Sequence, residues 1–137
     1  MDEAGERGDA VIEWCGIAAV ILVPLVALIV SCAAVQQGAL AVASAAREAE
    51  RILSVDAGGA DAAEEVARVI LRDAGVSPRG RILAVSCEGA CRPGALAEVE
   101  ASVDVDLPIV PAFVRGLIPP VRVSARGVAL LGEEVAR

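Results

Sequence analysis

The chain has 137 residues, a formal net charge of −7 and 56% hydrophobic residues, and every basic residue is an arginine. It contains no His and no Tyr. Histidine, the commonest general base and metal ligand, is therefore missing, so we expect neither an enzyme nor a cofactor. The arginines are scattered, which argues against nucleic acid as a partner. This length suffices for one membrane anchor and one small domain.

An apolar block from Cys15 to Val35 dominates the first third of the chain, and nothing charged occurs between Glu13 and Arg47. A bilayer core needs about 20 apolar residues in a helix, with all backbone groups satisfied internally. The block therefore predicts a single membrane-spanning helix in a lipid bilayer, running from about residue 9 to about residue 53. Pro24 removes one backbone hydrogen bond and predicts a kink.

The residues before the block differ from a secretory signal peptide, which begins with positive charge. Residues 1–9 carry four acids and one arginine, so we expect residues 1–8 to be a leader or an exposed acidic tail. Glu13 stands at the start of the apolar helix. Either it stays among the headgroups, favoured by the helix dipole, or it has a function, because a lone carboxylate inside a bilayer is costly.

Beyond the block, small and apolar residues predict a helical stripe that packs on the protein's own sheet or on other helices. These residues are Ala39, Val42, Ala46, Ala49 and Leu53. Residues 56–60 break the helix. A second helix is predicted over 61–74, with Asp61 and Glu64 as a capping-box-like start and Gly75 as its stop. A turn follows at 77–80.

The remainder alternates as strands do. The first run covers 82–87. The second, 98–107, presents an acidic face, and the third, 121–126, presents arginines. Opposite charges on facing positions favour antiparallel pairing, so we expect the last two strands to be neighbours, with a bend at Gly127. The apolar connection 108–120 is either a cover for the sheet or a surface for the bilayer or a partner subunit.

The four cysteines are of two kinds. Cys15 and Cys32 lie near opposite ends of the apolar block, too far apart to bond within one chain. Cys87 and Cys91 enclose a tight loop that suits a disulfide, with free thiols as the alternative. A metal site lacks further ligands nearby. A disulfide indicates an oxidising space outside the cytoplasmic membrane. The positive-inside rule slightly opposes this orientation, because Arg47 and Arg51 follow the block.

Gly8, Glu13 five residues later, Trp14 and the unbroken apolar run together resemble the processing signal of type IV pilins and pseudopilins. The resemblance implies that a prepilin peptidase cuts between Gly8 and Asp9. It also implies that Glu13, beside Trp14, supports filament assembly by offsetting the new amino group of a neighbouring subunit. The short leader is most similar to the Flp/Tad (tight adherence) branch.

The run from Gln36 to Leu40 and the later run from Ala45 to Arg51 resemble TadE-like pilus-assembly proteins. That resemblance implies a pilin-like α+β fold with a leader (1–8), a transmembrane and protruding helix (9–55) and an extracytoplasmic domain (56–137). The implied partners are major and minor pilins, the Tad assembly platform and the prepilin peptidase. The chain departs from the family in having Trp14 where Phe or Tyr is usual.

Two other readings remain open. Residues 29–32 satisfy a lipobox pattern, which would make Cys32 the lipidated start of a lipoprotein, although the apolar run continues beyond it. The chain could also be a single-pass protein without processing, whose outer domain is an interaction module.

Overall fold

The structure, a computed structural model, describes residues 3–108 and 119–132, with side chains from residue 10 onward. Five elements follow one another: α1 (Glu3–Val55), α2 (Ala60–Asp73), β1 (Leu83–Cys87), β2 (Leu96–Val105) and β3 (Val121–Leu130). The fold is α+β, as expected: a long apolar helix, a short helix and a three-stranded antiparallel sheet of order β1-β2-β3. Residues 109–118 of the apolar connection and the C-terminal residues 133–137 lie outside the described residues.

Helix α1 is longer at its start than the sequence suggested. The chain is already helical at Glu3, its first described residue, rather than only from about Asp9, because residues 3–8 contain no proline and their acids are favoured near the N-terminal end of a helix. It continues without a break through Pro24 to Val55. The predicted kink at Pro24 stays a prediction.

The two halves of α1 have different surroundings. From residue 10 to residue 37 nearly every side chain is exposed; Trp14 is 74% exposed and Val20 is 75% exposed. The hydroxyl of Ser31 donates a hydrogen bond to the carbonyl of Ala27 at 2.7 Å, so this polar group has its partner within the helix. From Gly38 onward one face is buried. This face comprises Ala41, Val42, Ala45, Ala46, Ala49 and Leu53.

The predicted stripe is therefore confirmed at four positions and wrong at one. Ala39 is exposed, because it is rotated by about 100° from Gly38, out of the face that the buried residues share. The buried face packs on α2 and on the inner side of the sheet, and together they form one apolar core.

The α1–α2 turn follows from local chemistry. Asp56 accepts a hydrogen bond from the amide of Gly58 at 2.9 Å, which fixes the turn where the sequence predicted a break. Helix α2 then starts after Gly59 and ends in a Schellman motif: Gly75 has φ +75°, and the amides of Gly75 and Val76 donate to the carbonyls of Arg72 and Leu71. The predicted stop at Gly75 is confirmed.

The capping box predicted for α2 is wrong. The N-cap is Gly59, with no side-chain cap hydrogen bond. Glu64 points instead toward β1, where its carboxylate accepts hydrogen bonds from the amides of Ile82 (3.0 Å) and Leu83 (2.9 Å). A carboxylate forms stronger bonds with two converging amides in a half-buried site than with one exposed helix end.

The sheet has one buried and one solvated face. The inner residues of β2 are all buried; they are Ala97, Val99, Ala101, Val103 and Val105. The outer residues of β2 and β3 face each other in the predicted register, with Glu100 opposite Arg126 and Asp104 opposite Arg122. Arg122 lies 3.3 Å from Asp104, and Arg126 lies 3.4 Å from Glu100. The predicted pairing of acidic and basic strands is confirmed.

Two glycines allow α1 to approach the sheet closely. A Cβ on Gly38 would lie 2.6 Å from Cγ2 of Val105. A Cβ on Gly127, in the middle of β3, would collide with the carboxylate of Glu50 on α1. The strand runs on through Gly127 to Leu130, so this glycine provides room for a helix side chain.

Candidate functional site

The residues of the pilin-like signal all lie on α1. Gly8 and Asp9 are part of the helical backbone, and Glu13 follows Gly8 by about 7.5 Å along the helix axis. Glu13 and Trp14 are both exposed. The pair therefore stands at the N-terminal end of the exposed apolar half, free to contact another molecule.

The exposed half of α1 is long and apolar enough to cross a membrane, and the helix is a candidate membrane span by length and composition. Its most apolar window has no residue buried against the folded domain. Exposed apolar surface of this extent is unfavourable in water, since each Å² costs roughly 25 cal/mol. A lipid bilayer or other apolar surroundings would remove that cost.

The disulfide predicted between Cys87 and Cys91 is present, with 5.4 Å between the two Cα atoms. Cys87 is the last residue of β1, opposite Ala97 of β2. The loop that follows turns through Gly89 (φ +95°) and Gly94 (φ +83°), a backbone region that favours glycine. The bond therefore closes the end of the β1–β2 hairpin.

Cys15 and Cys32 are free and exposed on α1. They are separated by about 25 Å along the helix, so the structure keeps them apart as the sequence predicted. Among the described residues, no group of three His, Cys, Asp or Glu side chains is arranged to hold a metal ion.

Sequence reasoning missed a polar cluster around Glu64. Its carboxylate, which holds the amides at the start of β1, is also 2.8 Å from Arg68, and Arg68 donates to the carbonyl of Gly80 at 3.0 Å. The Glu64 side chain is only 22% exposed. This cluster stabilises the loop between α2 and β1. It also positions β1, an edge strand that has few other contacts with α2.

Sequence reasoning also missed a cavity where the exposed half of α1 meets the folded domain. Its volume is about 220 Å³, and it is lined by α1, the turn after α2 and the end of β2. Among the lining residues are Gln37, Ser77, Asp104 and Asp106. Because these come from three distant segments, no local pattern pointed to them.

Comparison with models of protein families, with curated proteins and with solved structures finds no match.

Proposed function

We propose that this chain is a membrane-anchored minor pseudopilin or assembly component of a Tad-type pilus. The observation that carries the proposal is the division of α1. Its first half is exposed and apolar and begins with Glu13 and Trp14, and its second half forms one wall of a small α+β core. This is the arrangement that the sequence resemblance implies for an assembly subunit.

The disulfide supports an orientation for this anchor. Disulfides persist in oxidising compartments and are rare in the cytoplasm. The bond between Cys87 and Cys91 therefore supports a domain that lies outside the cytoplasmic membrane. The N-terminal residues then lie on the cytoplasmic side, where a prepilin peptidase would act between Gly8 and Asp9.

In the proposed mechanism the protein has a structural role. The exposed half of α1 holds it in the membrane, beside pilin helices. Glu13 offsets the positive charge of a neighbouring subunit's new amino group, an interaction strengthened by the low dielectric of the bilayer. The sheet domain faces outward and contacts other subunits of the assembly.

The first test is the intact mass and N-terminal sequence of the protein extracted from its native membrane, with and without reductant. A chain that starts at Asp9 supports prepilin processing. An intact Met1 removes the processing step and favours a single-pass interaction module. A lipidated start at Cys32 identifies a lipoprotein and overturns the proposal, because Glu13 would then be discarded.

The second test concerns Glu13. We expect Glu13→Ala to leave membrane insertion and protein level unchanged while piliation is lost, measured by electron microscopy of a deletion strain that carries the variant. Glu65→Ala is the matched control, since Glu65 is an exposed carboxylate on α2. Normal piliation with Glu13→Ala contradicts the assembly role of this residue.

A further inference from the structure

One end of the sheet lies beside the end of the apolar block of α1. Val105 of β2 pairs with Val121 of β3 at this end, and a Cβ on Gly38 would lie 2.6 Å from Cγ2 of Val105. Gly38 follows Val35, the last residue of the block, by three positions. The sheet therefore ends where the exposed half of α1 meets the folded domain.

This end of the sheet is apolar and mostly exposed. We name it the proximal end, and it consists of Leu107, Pro108, Pro119, Pro120 and Val121. All of these residues except Leu107 are exposed, and Val121 is 37% exposed. Apolar surface of this kind is unfavourable in water and favourable against hydrocarbon.

Pro108 shows how far the chain extends alongside α1. It lines the same cavity, of about 220 Å³, as Ala34, which belongs to the apolar block. Residues 15–35 form about 31 Å of helix, which matches the hydrocarbon core of a bilayer, about 30 Å thick. When the block fills that core, Ala34 lies at the outer hydrocarbon boundary and Pro108 lies at a similar depth. This step depends on the proposed membrane anchoring.

The charged side chains next to the proximal end form ion pairs. Arg79 is 3.2 Å from Asp106, and Arg122 is 3.3 Å from Asp104. Strand β2 runs toward the block, so both carboxylates precede Pro108 on the side away from the hydrocarbon. All four side chains are exposed, and neither pair has a net charge. The pairs can therefore stay among the lipid headgroups while the proximal end meets the hydrocarbon boundary.

The connection between β2 and β3 starts and ends at the proximal end. The chain leaves the described residues after Pro108 and returns at Pro119, and by sequence the ten residues between them carry one charged side chain, that of Arg115. A connection of this length reaches at most about 18 Å from its two ends. Helices α1 and α2 already pack on the inner face of the sheet. An apolar connection held at this place fits a lipid surface, which continues the surface around the membrane span.

We propose that the proximal end of the sheet contacts the outer leaflet of the bilayer, as a second membrane contact beside α1. Its apolar residues lie at the hydrocarbon boundary, and the ion pairs of Asp104 and Asp106 lie among the headgroups. A single spanning helix is free to tilt and to rotate about its axis. A second contact on one side of α1 restricts both motions and fixes which side of the domain faces the membrane.

The test measures the depth of spin labels on full-length protein in phosphatidylcholine vesicles. Cys15 and Cys32 are replaced by Ser, the disulfide stays intact, and one new cysteine is introduced as Pro108→Cys or Pro119→Cys. Accessibility to oxygen, which concentrates in hydrocarbon, is compared with accessibility to a water-soluble nickel complex. A label on native Cys32, in protein with Cys15→Ser alone, gives the depth of the outer part of the block.

Leu130→Cys is the matched control for these labels. Leu130 is 58% exposed and lies at the other end of β3, about 30 Å from Val121. We expect the oxygen-to-nickel ratio at Pro108→Cys and Pro119→Cys to be close to that at Cys32 and several-fold above that at Leu130→Cys. Circular dichroism shows that each variant is folded.

A charge at the proximal end tests whether apolar surface drives the contact. Val121→Asp, added to the Pro119→Cys protein, should move the label toward water, because a carboxylate at the hydrocarbon boundary is costly. Val128→Asp is its control, since Val128 is exposed near the other end of the same strand and should leave the depth of the label unchanged.

The outcomes separate this contact from the anchor. A label on Cys32 that lies in lipid, with labels at Pro108→Cys and Pro119→Cys as accessible to nickel as that at Leu130→Cys, overturns the second contact and leaves the anchor intact. Labels that neither reagent reaches also overturn it, because a protein surface would then cover the proximal end. A label on Cys32 that lies in water refutes the anchor, and with it the proposed function.

Discussion

At the scale of single residues, Glu64 connects α2 to the start of β1 and, through Arg68, to the loop before it. A carboxylate has two oxygens that accept, and Glu64 directs one to the amide of Ile82 and the other to the amide of Leu83. Its third partner, Arg68, also holds the carbonyl of Gly80. One side chain thus fastens the start of β1 and the end of the preceding loop.

We expect Glu64→Gln to lower the free energy of unfolding of the domain by about 1–3 kcal/mol. The neutral amide has one oxygen, so either the amide of Ile82 or that of Leu83 loses its acceptor in a half-buried site. Hydrogen exchange at the amides of Ile82 and Leu83 should accelerate first. Glu65→Gln, one residue along the same helix and exposed, is the control and should change neither quantity. Unchanged protection in Glu64→Gln would show that the carboxylate is dispensable.

Glycine also matters at the scale of single residues, because its missing side chain leaves room for neighbouring atoms. Gly38 is buried on α1, and its missing Cβ leaves room for the side chain of Val105. Glycine in a helix is less favourable than alanine by about 1 kcal/mol. We infer that the packing gained by close approach to the sheet at Gly38 exceeds this cost in helix stability. This contact brings the end of β2 against α1 beside the cavity.

At the scale of elements, the outer face of the sheet is organised by charge. Arg126 on β3 lies between Glu98 and Glu100 of β2, at 3.9 and 3.4 Å. Exposed ion pairs of this kind contribute little to stability, about 0–1 kcal/mol each. The register itself is set by burial, because a shift of one residue would move every buried valine of β2 to the solvated face, and the ion pairs agree with that register.

We expect Arg126→Glu to destabilise the domain by about 0.5–1 kcal/mol, because three carboxylates would then share one exposed patch. The effect should shrink in 1 M NaCl, where charges are screened within about 3 Å. Arg126→Gln is the control, since it removes the attraction without adding repulsion and should cost less. Denaturant unfolding at low and high salt measures both. A loss that is the same at both salt concentrations would exclude an electrostatic cause.

At the scale of the whole molecule, the first half of α1 is an exposed apolar segment and its second half is part of the folded domain. The buried residues of α1 begin at Gly38, and the large exposed apolar side chains from Val11 to Val30 all precede it. The folded unit therefore consists of the second half of α1 with α2 and the sheet. Its core contains small aliphatic residues, mostly Ala, Val and Leu, so close packing contributes much of its stability.

We expect a fragment of residues 36–137 to be monomeric and folded in water without detergent, with the Cys87–Cys91 disulfide formed. The removed segment carries most of the exposed apolar surface and none of the core. A fragment of residues 47–137 is the control, because it lacks Ala41, Val42, Ala45 and Ala46 and should be unfolded. Circular dichroism and gel filtration distinguish the two. Aggregation of the longer fragment would mean that the first half of α1 is needed for folding.

The sequence by itself determined the elements, because each depends on local periodicity or local turn chemistry. The apolar block, the stop at Gly75, the alternating strands, the facing acidic and basic residues and the Cys87–Cys91 bond were all predicted from neighbours in the chain. Most other contacts between distant segments were decided only by the tertiary structure. Glu64 binds the start of β1 instead of capping its own helix. Gly127 makes room for Glu50, and the cavity between α1, α2 and β2 has no sequence signal. In each case a side chain's partner lies on another element, so its role follows from packing that no single stretch of sequence contains.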